Sequence, residues 1–333
     1  MIFFTICSNN YLAQATVLGN SIAKHHPGAG FVVVLVDERT TAVDYSTIPF
    51  EVLPIHEVEP KLHELIIKYD IVELNTCIKP RIFEYLANER KEQQIIYLDP
   101  DIKIYSPLTT IQSALENGSI VLTPHIYTPI PLDGKSPGEN TFLNFGIYNL
   151  GFVAIRVTEE SNKFISWWKE RTYEQGYSSV QYGLYVDQLY INLVPVFFRD
   201  VCVLNDNGCN MAPWNLHERY LTYSNNEIII NGTNTLKFFH FSSFRIDTGE
   251  LPVHYYNRFY MKDRPDLVQL YKGYNDELKA AGYLFYSPLK CSYILKREQY
   301  LQQKWKKKPL LKRMAIRTLR ALPKNFRTAL ANI

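Results

Sequence analysis

The stretch that decides the fold is 95-IIYLDPDIKIY-105. Ile95, Ile96, Tyr97 and Leu98 form an unbroken apolar run that closes on Asp99-Pro100-Asp101. A short run that is apolar at both alternating positions is the pattern of a strand covered on both faces, as in a parallel sheet flanked by helices. The pattern predicts a strand over 94–98 that ends in an acidic turn. Two carboxylates two positions apart, with a proline fixing one backbone angle between them, supply hard oxygen ligands aimed before a cation arrives. Ordinary turns use the same residue types, so the motif needs support elsewhere in the chain.

Working toward the N-terminus, residues 2–7 read as a first strand. "NNYLAQATVLGNSIAKHH" then carries Leu12, Ala15, Leu18 and Ile22 at helical spacing and stops at Pro27-Gly28. "FVVVLVDE" is a second doubly covered strand, and helical patterns over 60–68 and 73–90 lead back to 94–98. This β-α-β alternation predicts an α/β fold, Rossmann-like, with a mostly parallel central sheet flanked by helices. Downstream, "SIVLTP" reads as a strand, 124–141 as a Pro/Gly-rich loop and "NFGIYNLGFVAIR" as a strand with glycine interruptions. Helices are expected at 159–175 and 185–193, strands near 200–204, 226–230 and 236–241, and helical structure over 257–285. The chain thus divides into a domain of catalytic size over 1–256, a helical extension over 257–299 packed on its core, and a basic tail over 300–333. Ligands of open α/β sheets gather beyond the carboxyl ends of the strands. "TICSNNY", "VDE" and "YLDPD" all fall there.

Composition narrows the class. With 46% hydrophobic and 21% charged residues the 333-residue chain reads as soluble and globular. The 24 Tyr, 18 Phe and 4 Trp suit a site that stacks rings and holds sugars, or dense packing. Five scattered cysteines without ligand spacing point to a reduced, cytoplasmic compartment. "MIFFTICSNN" has no basic leader region, and no apolar run is long enough to span a bilayer. Asn117-Gly-Ser and Asn231-Gly-Thr then read as turns. The net charge of +3 conceals ten Lys or Arg from Leu301 onward with no acidic residue, which leaves −7 on the rest. Over 310–322, Leu311, Met314 or Ala315, Thr318 or Leu319, and Leu322 fall at helical spacing, with Lys312, Arg313, Arg317 and Arg320 elsewhere around the helix. That pattern predicts a basic amphipathic tail on an anionic membrane surface, with Trp305 at headgroup level, and peripheral association with the inner face of the plasma membrane. No RNA-binding motif accompanies it, so nucleic acid is not an expected partner.

Taken in order, "YLDPDI", "YNLGF", "VDQ", "WNLHER" and "FHFSSF" resemble the elements of a bacterial group of GT-A nucleotide-sugar glycosyltransferases. That group is itself distantly similar to glycosyltransferase family 8, which contains glycogenin. The resemblance covers approximately residues 2–246. It implies a metal-dependent transferase that moves a sugar from a nucleotide diphosphate donor, UDP before GDP, to an acceptor hydroxyl. The implied setting is bacterial cell-surface polysaccharide or lipopolysaccharide synthesis, with retention of anomeric configuration and a glycan or glycolipid acceptor.

The same resemblance assigns roles residue by residue. Asp99, Asp101 and His240 would hold Mn²⁺ or Mg²⁺, the alternative for His240 being an ordinary core histidine. Tyr11 would stack on the base while Asn9 or Asn10 bonds its edge, unless Asn10 serves as a helix cap. Lys79 would meet a phosphate or a carboxylate, with Arg81 behind it, and Asn149 a donor hydroxyl, while Gly151 permits close packing. Asp187 and Gln188 would face the anomeric carbon and stabilise oxocarbenium-like charge, unless Asp187 only caps its helix. Trp214 and Asn215 would form walls, and His217 and Arg219 would bind diphosphate. Beyond His240 the chain departs from family 8: Ser243 stands where that family has glycine, and no Lys-Pro-Trp follows. Arg245 lies one residue short of the lysine position and would substitute for it. Two rival readings are a sugar nucleotidyltransferase and a non-catalytic membrane-associated scaffold with the same fold. The first calls for a glycine-rich loop after strand one, and "ICSNNYLAQ" has none.

Overall fold

A computed structural model describes residues 1–225, 227–246, 251, 256–307 and 309. Four strands open the sheet: β1 (Ile2–Cys7), β2 (Gly30–Leu35), β3 (Glu51–Pro54) and β4 (Gln94–Leu98). Between them run α1 (Leu12–His25), α2 (Leu62–Lys68), α3 (Ile71–Cys77) and α4 (Lys79–Asn88). The expected helix over 73–90 is therefore two helices, because Pro80 lacks the N–H that a helix interior needs and sits instead in the first turn of α4. Next come β5 (Ile102–Ile104), α5 (Thr109–Asn117), β6 (Ile120–Leu122), α6 (Glu139–Phe145), β7 (Phe152–Arg156) and α7 (Glu159–Gln175). A two-residue pair, β8 (Ser178–Ser179) and β9 (Leu184–Tyr185), is followed by a 3₁₀ turn over Leu189–Leu193, the short α8 (Val194–Phe197) and β10 (Val201–Val203).

Seven strands form the central sheet in the order β10-β6-β7-β4-β1-β2-β3. β1 pairs in parallel with β2 and β4, β2 with β3, and β10 with β6, while β7 runs antiparallel between β6 and β4. The fold is thus α/β with a mostly parallel sheet. The period-2 alternation sends Ile95 and Tyr97 into one apolar cluster, beside Phe4, Phe83 and Trp168, and sends Ile96 and Leu98 into the cluster on the other face, beside Phe3 and Leu18. This two-sided burial is why the strands read as unbroken apolar runs.

A second group of strands lies outside the central sheet. β11 (Leu221–Ser224), β12 (Glu227–Ile230) and β13 (Asn234–Thr235) form an antiparallel meander, with Asn231 in the left-handed turn between the last two. β14 (Phe238–His240) pairs antiparallel with β5. The helices α9 (Val268–Ala280) and α10 (Tyr283–Tyr286) follow, and the aromatic rings of Phe239, Phe241, Tyr271 and Tyr274 seat α9 against β14.

The last described helix, α11 (Ser292–Lys306), runs through the boundary expected at 299/300. Its start is tied to the end of β2, where Asp37 accepts from Ser292 N at 2.7 Å and Ser292 Oγ at 2.6 Å. Trp305 belongs to this helix, whereas the amphipathic reading of 310–322 lies outside the described residues. All five cysteines are free, and among the described residues no helix is long and apolar enough to cross a membrane.

Candidate active site

The carboxyl ends of β4, β1 and β2 lie side by side, so the loops after them share one edge. Between that edge, α3 and α11 lies a crevice of about 640 Å³. Ser8, Asn10 and Tyr11 line it from the first loop, Asp99 and Asp101 from the acidic turn, Val72, Asn75 and Thr76 from α3, and Ile294, Leu295 and Glu298 from α11. Tyr11 keeps 43% of its surface exposed at the margin.

His240 is brought to the acidic turn by the β5–β14 ladder, whose register sets His240 opposite Ile102. Phe241 N donates to Asp101 O at 2.8 Å and locks that register at the turn itself. His240 Nε2 lies 3.1 Å from Asp101 Oδ1 and 3.7 Å from Asp99 Oδ2. One ligand atom from each of the three residues falls within 4.8 Å of the other two. Two carboxylates and an imidazole converging at that spacing are a suitable donor set for Mn²⁺ or Mg²⁺. Burial and then the neighbouring Asp101 raise the Asp99 carboxyl above the usual carboxylate range, against the pull of Lys79 and His240. At His240 burial acts downward, and Asp101 and Asp99 more than offset it, so the imidazole stands above its ordinary value.

The imidazole is held from behind. Asn149 Oδ1 lies 3.3 Å from His240 Nδ1, and Trp214 meets the ring edge to face at 5.1 Å. A Cβ at Gly151 would fall 2.4 Å from His240 Cε1 and 2.8 Å from Nδ1, so only glycine leaves room for the ring. The close-packing role expected of Gly151 thus has a specific object.

Several residues expected to touch the donor are committed elsewhere. Lys79 is 2% exposed, and its ammonium lies 2.8 Å from Asp187 Oδ2, donates to Leu150 O at 2.8 Å and sits 4.3 Å over the Tyr97 ring. The carboxylate it meets is therefore the protein's own, and Asp187 is neither a helix cap nor open to a sugar. Burial raises the Asp187 carboxyl while Lys79 opposes it. Arg81 points away, toward Glu84, Glu89 and Val58 O. The Gln188 amide is taken by backbone, its Oε1 accepting from Leu150 N and its Nε2 donating to Phe145 O. Instead of facing an anomeric carbon, it ties together the two arms of the 145–150 loop.

Asn9 is likewise spent. Its Nδ2 donates to Asp37 and Glu38 O, and its Oδ1 accepts from Tyr45. Asn10 Oδ1 accepts from Ser8 Oγ and its side chain remains on the crevice wall. Asn149 is buried, and each end of its amide is bonded inside the protein, Nδ2 to His125 and Oδ1 to His240. Asn215 is fully buried and bonds Ala212 N, His125 O and Asn210 O. Arg219, also fully buried, donates to Cys209 O and Asn207 O and pairs with Glu218. His217 Nε2 lies 3.3 Å from Thr128 O. These three brace loops, since a buried cation or amide must be satisfied where it lies. Trp214 is buried against the histidines and forms no open wall. Arg245 is exposed on the loop beyond β14, outside the crevice lining.

Two residues at the site are not among those expected from the sequence. Tyr97 donates its hydroxyl to Asp99 Oδ1 from the strand itself, and His125 stands behind Asn149. Tyr97 follows from strand parity, because it lies on the same strand two positions before Asp99.

The solved structures that the chain resembles include glycosyltransferases, and no family model matches it. Among them are galactosyltransferase LgtC in complex with donor and acceptor sugar analogs (15% identity, TM-score 0.49, 84% of this chain and 96% of that one) and glycosyltransferase GlyE of Streptococcus pneumoniae TIGR4 (12%, TM-score 0.46, 84% and 62%). In sequence it is similar to two uncharacterized proteins of Bacillus subtilis (strain 168). YfnF is 24% identical over 282 residues, covering 80% of this chain and 92% of YfnF, and YfnD is 24% identical over 292 residues, covering 83% and 88%.

Proposed function

We propose that this chain is a divalent-cation-dependent glycosyltransferase that moves a sugar from a nucleoside diphosphate donor to an acceptor hydroxyl. The observation that carries the reading is the convergence of Asp99, Asp101 and His240, from segments far apart in sequence, at the edge of a crevice lined by the loop after β1. Its volume of about 640 Å³ falls within the roughly 300–1,000 Å³ of small-molecule sites. Mn²⁺ or Mg²⁺ at the three ligands would neutralise charge on the departing diphosphate.

The rest is done by side chains. The crevice runs from the acidic pair between Tyr11 and the apolar residues Val72, Ile294 and Leu295, which suit the faces of a base and ribose, with Asn10, Asn75 and Glu298 available to bond their edges. The Lys79–Asp187 pair carries no net charge and supports Tyr97, whose hydroxyl orients Asp99. Lys290, exposed on the crevice wall, and Arg245, on the exposed loop beyond β14, are cations available to approach a diphosphate. UDP is preferred to GDP only on the resemblance, as is cell-surface glycan assembly with residues 301–333 on an anionic membrane. In the same reading residues 1–256 form the transferase unit, and α11 completes its donor crevice.

The test is release of nucleoside diphosphate from a panel of UDP- and GDP-sugars, without acceptor, in Mn²⁺, Mg²⁺ or EDTA. Turnover should require the cation, and Asp101→Asn should lower it by at least the roughly 10–100-fold that losing even an outer partner of a metal site costs. A panel in which every donor neither binds nor turns over with cation present ends the proposal, and cation-independent turnover ends its metal half.

A further inference from the structure

Behind the acidic pair runs a chain of hydrogen bonds whose direction is set at its far end. His125 Nδ1 lies 3.1 Å from Ile147 O, which can only accept, so Nδ1 carries the proton. His125 is buried, and burial holds it down at about 4, so at neutral pH the ring has one proton and Nε2 is an acceptor. Asn149 Nδ2, 3.2 Å from that Nε2, must then donate to it. This turns Asn149 Oδ1 toward His240 Nδ1 at 3.3 Å, where an oxygen accepts only if Nδ1 carries the proton. In the neutral ring the His240 Nε2 lone pair is then the one facing Asp99 and Asp101, whereas in the imidazolium that those carboxylates favour Nε2 donates to Asp101 at 3.1 Å. Trp214, 5.2 Å from the His125 ring and 5.1 Å from that of His240, holds both rings in place, and Asn215 Nδ2 fixes His125 O at 3.0 Å.

We propose that His125 is a positioning residue which, through Asn149, sets the tautomer of His240 and presents its Nε2 to a cation. The inference rests on the cation-site reading above. It places the selection of the His240 tautomer outside the ligand set, at a residue on the segment that follows β6.

The test compares wild type with His125→Phe, which keeps a ring but bonds neither neighbour, and His125→Gln, whose amide oxygen can occupy the Nε2 position. Long-range ¹H–¹⁵N spectra of the metal-free, histidine-labelled protein at alkaline pH report the tautomer of each neutral ring, and His240→Gln identifies the His240 signals. Wild type and His125→Gln should show His240 protonated on Nδ1. In His125→Phe the Nε2–H form should appear, since Nε2 can then donate to Asp101. Mn²⁺ affinity, followed by the electron paramagnetic resonance of the free ion, should fall about 10-fold in His125→Phe and stay within about 3-fold of wild type in His125→Gln. If His240 keeps its Nδ1–H form in His125→Phe, the inference is overturned, whatever the Mn²⁺ affinity. If wild type binds no Mn²⁺, the cation reading fails while the tautomer comparison still decides the role of His125. Should His125→Phe not fold, His125→Asn, which retains a donor toward Ile147 O but places nothing at Nε2, makes the same comparison.

Discussion

Replacing Gly151 by alanine tests the proposed site with one methyl group. The new Cβ would stand 2.4 Å from His240 Cε1, 2.8 Å from Nδ1 and 2.9 Å from Asn149 Oδ1. Ordinary carbon contacts begin near 3.5 Å, so ring and methyl must separate by about 1 Å. The backbone at Gly151 cannot supply that shift cheaply, because its carbonyl accepts from Asp99 N at 2.8 Å. Retreat of Gly151 would drag the acidic turn with it. The ring must therefore move, against Trp214 and along the line to Asp101. Overpacking of this kind costs about 1–3 kcal/mol of stability. A displacement of about 1 Å in one of three ligands should weaken Mn²⁺ binding by 10-fold or more, the scale seen when the support of a metal ligand is lost. The assays are urea unfolding, Mn²⁺ titration and cation-dependent release of nucleoside diphosphate. A Gly151→Ala protein that binds Mn²⁺ and turns over donor within twofold of wild type would show that the position of His240 is irrelevant to the cation, and the site reading would fall with it.

Other substitutions separate bracing from chemistry. Lys79→Met leaves Asp187 buried without its partner and should cost about 3–5 kcal/mol in urea unfolding, with much of the loss recovered in Lys79→Met/Asp187→Leu; a cost below 1 kcal/mol for the single variant would mean the pair is not formed. Arg219→Met should destabilise by about 1–3 kcal/mol, since it strips the buried Cys209 carbonyl and the half-buried Asn207 carbonyl of their donor, and should leave KM for the donor unchanged; a raised KM would return Arg219 to diphosphate binding. Burial lowers His125 from 6.5 to about 4, so the folded state favours its neutral form. The resulting stability, up to about 3 kcal/mol, is complete above pH 6.5 and is lost as pH falls toward 4. His125→Gln should flatten that part of the stability–pH curve, and an unchanged slope would contradict the assignment.

What could be read from the chain alone follows the range of the physics involved. β1, β2, β4, α1 and α7 lie close to their expected places because each is specified by local periodicity and by turn residues at its ends. β5 was missed, as three residues after an Asp-Pro-Asp turn carry too little pattern, yet its ladder with β14 is what carries His240 to the acidic pair. The 185–193 segment, expected as a helix, is instead the end of β9, a left-handed Val186 at φ +42° and a 3₁₀ turn over Leu189–Leu193. The three cation ligands were legible because their residue types are unusual together. Their neighbours were harder, because sequence reports which residues are charged and not which are buried. Lys79 and Asp187 each look like a residue waiting for substrate, and nothing local in either segment reveals that 108 positions later one finds the other.

That pairing changes how charge is arranged around the proposed site. A free Lys79 would have been a cation aimed at the donor, and a free Asp187 a third anion beside the acidic turn. Paired, they present neither. The local excess is reduced to Asp99 and Asp101 facing one imidazole, and the hydrogen-bond chain from Ile147 O through His125 and Asn149 puts the Nδ1 proton of that imidazole on the far side. With His240 neutral and Nε2 as its acceptor, three acceptors face one point within 4.8 Å, while without an ion the two carboxylates favour the imidazolium instead. Such a point is unfavourable for the protein alone, since burial raises Asp99 and Asp101 raises it further. A divalent cation relieves it, so Mn²⁺ should stabilise wild type against unfolding by an amount that grows logarithmically with its concentration. Calorimetry across an Mn²⁺ series checks this without any knowledge of the sugar donor, and a melting temperature indifferent to Mn²⁺ up to millimolar levels would mean that His240 donates to Asp101 and that the three groups close on one another rather than on an ion.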